Sequence, residues 1–217
     1  MMNIIDTLSK WQTLVGSILG GIFALLTALV VAGSARRRDE QSAAMFVSAT
    51  LAAVRVASET LLSLSPKEGV SEEDYPLWFA EKIAHLHPRI PLLFDASAAR
   101  LMSVDTSLAA HLALFQHTYS QTESLLNRIS EDYEDYYKNG KPFRPQDVMR
   151  ADCLVATKHF HFAAEHAKCA VYLISKLVLS RAPLFYRLRR KVWHSKEEQE
   201  CMNLLKVPAN KSNTADR

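Results

Sequence analysis

From Trp11 to Ala35 the chain runs through 25 residues without a charged side chain, WQTLVGSILGGIFALLTALVVAGSA. No other feature restricts the fold as strongly. A helix crossing a hydrocarbon core of about 30 Å needs about 20 predominantly apolar residues. A buried helix of a soluble core rarely runs this long without one charge. The competing reading is a cleaved signal peptide, for which Gly33-Ser34-Ala35 would serve as the cleavage site. Against it, the leading MMNIIDTLSK offers one basic residue, Lys10, and carries Asp6. The apolar run also exceeds the roughly 7–15 residues of a signal h-region.

The flanks set the expected orientation. Lys10 stands before the span, whereas Arg36, Arg37 and Arg38 follow it. The positive-inside rule counts such residues and puts the arginines in the cytoplasm. The expected topology is therefore a short external N-terminus over 1–10, a transmembrane helix over 11–35 and a cytoplasmic helical bundle over 36–195. A polar, partly disordered tail is expected over 196–217. Trp11 falls where an interfacial aromatic anchor belongs. In a reducing cytosol, Cys153, Cys169 and Cys201 are expected to be unpaired.

Gly16, Gly20, Ala24, Ala28 and Ala32 recur every four residues and place small side chains on one helix face. Gly-x-x-x-Gly lets two backbones approach closely in lipid. Self-association into a homo-oligomer is the expected consequence, although Gly and Ala are common in any membrane helix.

The segment Lys10-Trp-Gln-Thr-Leu-Val-Gly16, followed by the small and aliphatic span, resembles the start of a loose group of uncharacterised proteobacterial single-pass inner-membrane proteins. The resemblance covers about 25 residues. It implies a bacterial inner membrane and no activity.

Beyond residue 38 no period-two strand pattern occurs, so the expected class is all-α, with the bundle antiparallel. A first helix is expected over about Asp39–Leu64, continuing from the membrane helix or breaking near Gly33-Ser34. Its apolar middle could suggest a second span. Arg55 and Glu59 oppose that, because a mid-bilayer charge costs about 2.5–3.5 kcal/mol. Ser71, followed by Glu72, Glu73 and Asp74, reads as the capped start of a connector helix that ends before Pro88.

A long helix follows, ending near Lys138. In it Leu108, Leu112, Phe115, Tyr119, Thr122, Leu126, Ile129, Tyr133 and Tyr136 alternate spacings of four and three. That is a coiled-coil-like heptad stripe. A last long helix is expected from Gln146 to about Arg181, with Val155, His159, Phe162, His166, Cys169, Leu173 and Leu177 on its inner face. An eight-residue connection suits an antiparallel pair.

Catalytic constellations are missing. There is no phosphate loop, no nucleophile elbow and no E-x-x-H pair for a di-iron bundle, so neither a cofactor nor an enzymatic activity is expected. The cluster KHFHFAAEHAKC supplies one weak metal candidate, His161 with Glu165, one helical turn apart. A solvated polar face explains the same residues. Cys169 follows His166 by three residues, which could bring a thiol to an imidazole.

Residues 181–217 hold nine Lys and Arg against four acids. Within Leu184–Trp193, Phe185 shares an apolar face with Leu184, Leu188 and Val192, while Arg187, Arg189, Arg190 and Lys191 lie around the other sides. Such a helix can rest on an anionic membrane surface with Trp193 at headgroup depth. The lipid bilayer is then the nearest polyanion, and nucleic acid is not an expected partner. The function these features support is a membrane-anchored helical interaction or self-assembly module with a possible cytoplasmic protein partner. The alternatives are a metal-dependent membrane-bound enzyme, or a membrane-disrupting effector in which residues 43–54 insert.

Overall fold

The computed structural model describes residues 4–63, 70–71, 74, 78, 81–82, 86, 88–142, 144–180, 186, 188 and 194–206. Side-chain surroundings are described from Ser17 onward, apart from residues 61, 62 and 146. Among the described residues there are five helices and no strand: α1 (Ile4–Ser63), α2 (Phe94–Met102), α3 (Thr106–Asn139), α4 (Gln146–Leu177) and α5 (Lys196–Lys206). The chain divides into two compact units, Met1–Ser42 and Ala43–Arg217.

The first unit is the N-terminal part of α1. Helix α1 is unbroken through Gly33 and Ser34. Two hydroxyls inside the apolar stretch are satisfied by the helix itself: Thr27 donates to the Phe23 carbonyl and Ser34 to that of Val31, each at 2.8 Å. Back-bonding of this kind lets a hydroxyl sit in an apolar medium without an orphaned donor. The segment Ser17–Thr60 contains a window with mean hydropathy 2.2, none of it buried, so one helix is long and apolar enough to cross a membrane.

The second unit is built on α3 and α4, which make the most extensive helix contact. Asp105 caps α3, its carboxylate accepting from the backbone N–H groups of Ser107 and Leu108 at 3.0 and 3.1 Å. Gly140 ends it at φ 62°, a left-handed conformation that favours glycine. The expected stripe of α3 is buried from Leu108 to Ile129; Tyr133 is half-buried and Tyr136 is 43% exposed. The seam therefore closes about two turns before the acidic end of the helix.

Helix α4 buries only the second half of its expected face, His166, Cys169, Leu173 and Leu177; over the first half it turns another face to the core. Its buried seam is Met149, Cys153, Ala156, Phe160, Ala163, Ala167, Ala170, Ile174 and Leu177. These positions also alternate by four and three. Val155 is 41% exposed, and His159 and Phe162 are half-buried. Large side chains alone point to the wrong face. Four alanines instead form the middle of the seam, and small residues let the Leu- and Phe-rich stripe of α3 come close. His166, Cys169 and Leu173 of the expected set are buried on its flank.

Ala44, Val47, Leu51 and Val54 of α1 belong to the same core as these helices. Met45 and Val56 point outward, and half-buried Arg55 pairs with exposed Glu59 at 3.3 Å. Phe94, Ala98 and Leu101 of α2 complete the core, with the Phe94 ring edge-on to Phe115 at 5.6 Å. Each large side chain so buried contributes about 1.5–3 kcal/mol. Where the connector helix was expected to start, the Asp74 N–H donates to Ser71 Oγ at 3.1 Å; most of that segment lies outside the described residues.

Within the stretch expected to be a polar, partly disordered tail, Lys196–Lys206 form the helix α5. Ser195 caps α5: its Oγ accepts from the Glu198 N–H at 3.3 Å, and the Glu198 carboxylate accepts from the Ser195 N–H at 3.0 Å. This reciprocal arrangement is a capping box. Glu198 and Cys201 are buried, and α5 contacts both α3 and α4. Two buried side chains per three turns suffice to dock a helix whose composition is otherwise polar.

Candidate functional site

A cluster of buried histidine and cysteine side chains lies where α3, α4 and α5 meet. His111 comes from α3, beside Leu112 of the stripe. His166 and Cys169 come from α4, one turn apart beside the alanine seam. Cys201 comes from α5. All four are buried, the two imidazoles completely.

The Nδ1 atoms of His111 and His166 are 2.9 Å apart, so one ring donates to the other. The ring centroids are 5.2 Å apart and tilted, and the Phe162 ring stands edge-on to His166 at 4.5 Å. Nε2 of His166 is buried without a hydrogen-bond partner. Burial pushes the His166 pKa down to about 4, which keeps its ring neutral and able to accept.

Cys169 and Cys201 form a disulfide across 32 positions, with Cα atoms 5.6 Å apart. The expectation of three unpaired cysteines therefore holds for Cys153 alone. It fails for Cys201 because that residue lies on a docked helix. The candidate ligand atoms of His111, Cys169 and Cys201 all fall within 4.8 Å of one another. A cleft of about 530 Å³ opens against the two cysteines and is lined also by Arg55, Glu165, Lys168, Tyr172 and Glu197.

The surroundings hold α5 in place. The Tyr186 hydroxyl donates to Glu198, and the hydroxyls of Tyr172 and Ser195 are hydrogen-bonded at 2.9 Å. Burial, followed by the Glu198 carboxylate, raises the Tyr186 pKa, so the phenol remains a donor. Away from this cluster, Arg144 ties the two long helices together through Asp132 and, at 2.9 Å, Asp152.

Of the residues the sequence singled out, His161 is exposed and Glu165 is half-buried at the cleft. Among the described residues, the group of three or more metal-binding side chains is His111, Cys169 and Cys201; it includes neither of them. Gly20, Ala24, Ala28 and Ala32 are exposed, and a Cβ built at Gly20 meets no atom within 4 Å. The surroundings of Gly16, and Phe185, Arg187, Arg189, Arg190, Lys191 and Trp193 altogether, lie outside the described residues.

The sequence brought His166 and Cys169 together but missed His111 and Cys201. His111 is 55 positions from His166. The available signal was its place one residue before Leu112 in the stripe of α3. The chain matches no protein-family model, no curated protein and no solved structure, so its function has to be read from its own residues.

Proposed function

We propose that this chain is a single-pass inner-membrane protein, N-terminus outside, that displays an antiparallel helical bundle in the cytoplasm for protein interaction or self-assembly. One observation carries the reading. Every side chain from Ser17 to Ala35 is exposed, including Phe23 at 67% and Val30 at 71%, and none is charged. Such a surface is costly in water and suited to lipid. Arg36–Arg38 support the cytoplasmic side. The antiparallel pairing is supported by the cross-helix partners: His111 meets His166, Tyr119 meets Phe160 and Asp132 shares Arg144 with Asp152. The resemblance at Lys10–Gly16 agrees with a bacterial inner membrane.

Ala43, Ala44, Val47, Leu51 and Val54 are committed to the core. That favours an interaction module over an effector that inserts residues 43–54. Paired reporter fusions after Arg217 test the topology, and cross-linking in membranes tests assembly. A cytoplasmic reporter that is active, together with cross-linked oligomers, is the expected outcome. Activity of the periplasmic reporter alone would overturn the orientation, and a strictly monomeric chain the self-assembly.

A further inference from the structure

Cys169 and Cys201 meet beside a buried imidazole on a third helix, and that combination does more than staple α5. We propose that in the reduced protein His111, Cys169 and Cys201 form a site for one divalent cation of the zinc class. The inference uses the cytoplasmic reading only for the oxidation state expected in the cell, since cytosolic thiols are kept reduced.

The donor set suits such an ion. Thiolate sulfur and imidazole nitrogen are the preferred ligands of Zn²⁺, at about 2.3 and 2.0–2.1 Å. Tetrahedral bonds of those lengths hold ligand atoms roughly 3.3–3.8 Å from one another. The three candidate atoms already lie within 4.8 Å. The site therefore forms by separating the two sulfurs while the nitrogen stays near. His166 contacts His111 through Nδ1 at 2.9 Å. A ligating histidine usually donates its other ring N–H to an acceptor that fixes the ring, and a neutral imidazole can be that acceptor. His166 is the supporting residue here. The cleft beside Cys169 and Cys201 gives the ion a way in.

The chemistry balances in two steps. A dithiol reductant passes two electrons and two protons to the disulfide and is itself oxidised to a disulfide. The two thiols then release their protons as the cation binds, giving two thiolate bonds and no change in the oxidation state of the metal. Disulfide and metal site are mutually exclusive, because both use the same sulfur atoms. Either one fastens α5 to α4, and the local net charge is the same in both, since a divalent cation with two thiolates is as neutral as a disulfide.

Full-length protein in detergent, reduced with a phosphine and held without oxygen, is titrated with Co²⁺ and then with Zn²⁺. One Co²⁺ per chain is expected, with thiolate-to-cobalt charge-transfer absorption and the visible bands of a tetrahedral complex, displaced by one equivalent of Zn²⁺. Cys201→Ser and Cys169→Ser lose affinity by more than the ~10–100-fold typical of removing an outer partner, and His166→Phe loses about that much. Cys153→Ser and His161→Ala bind as the parent does. The reoxidised parent does not bind, and because it has the same sequence it controls for misfolded variants. The idea fails if the reduced parent gives no charge-transfer band, or if the band survives in Cys169→Ser or disappears in Cys153→Ser. Reporter fusions read the topology separately, so a periplasmic C-terminus would overturn the orientation and leave the titration to decide the site.

Discussion

His111 and His166 share a single hydrogen bond between their Nδ1 atoms, 2.9 Å long and shielded completely from solvent. One ring must donate and the other accept, so this arrangement requires at least one neutral imidazole. The buried pair makes stability depend on pH in a defined direction.

Folded His166 titrates near 4, below its ordinary value of 6.5, because burial disfavours the cation. Above pH 6.5 the ring is neutral in both the folded and unfolded states. Between 6.5 and 4 only the unfolded chain takes up the proton, so stability falls with pH. Below 4 both states are protonated and the loss stops growing. The full loss is on the order of 3 kcal/mol. Urea unfolding of the oxidised protein at several pH values checks it. His166→Leu should flatten the profile between 6.5 and 4; an unchanged profile would mean that the acid sensitivity lies elsewhere.

Cys153 should be inert in the native protein. Burial, with Asp152 adding to it, pushes its pKa up to about 12, so almost no thiolate exists near neutral pH. Cys169 and Cys201 border the cleft. After reduction, iodoacetamide at pH 8 should label those two and reach Cys153 only when denaturant is added. Peptide mass mapping reads the order, and early labelling of Cys153 would show that the α4 seam opens readily.

The small-residue seam of α4 predicts an asymmetry between the long helices. Leu112→Ala empties a fully buried site on α3 and should cost about 2–5 kcal/mol. Ala163→Leu adds bulk where α4 has none to spare and should cost about 1–3 kcal/mol by overpacking. Ala151→Leu, on the exposed face of α4, should be nearly neutral. Chemical denaturation monitored by circular dichroism ranks the three. A harmless Ala163→Leu would contradict close approach at that seam.

How far the sequence could be read follows from the same contrast. Helix α3 was legible because its buried positions carry Leu, Phe and Ile, and size and period agree. In α4 they disagree: the larger residues Val155, His159 and Phe162 mark one face, while the buried face is Ala156, Ala163, Ala167 and Ala170. Alanine carries little hydropathy signal, and its value here comes from the bulk of the partner helix. The cluster was half legible for a related reason. His166 and Cys169 are neighbours on one helix, but nothing local links them to His111 or Cys201, which tertiary packing supplies. Helix α5 was obscured by its charge, since only Glu198 and Cys201 are buried.

The last prediction concerns Gly20, where the described chain provides a clean control. A Cβ added at either Gly20 or Gly21 meets no atom within 4 Å, and both residues are exposed on the same helix. Within one chain the two substitutions to isoleucine are therefore equivalent, and each replaces a poor helix former with a better one. Between chains they are not. Gly20 shares a face with Ala24, Ala28 and Ala32, whereas Gly21 is rotated by one residue, about 100°, away from it. If that face packs against a second copy, isoleucine at 20 holds the backbones apart and isoleucine at 21 does not. Association of the isolated segment, measured in bacterial membranes with a dimerisation reporter, should drop several-fold for Gly20→Ile and stay near the parent for Gly21→Ile. Equal signals from the two variants would mean that the four-residue repeat is a property of composition and does not pair this helix with a second copy.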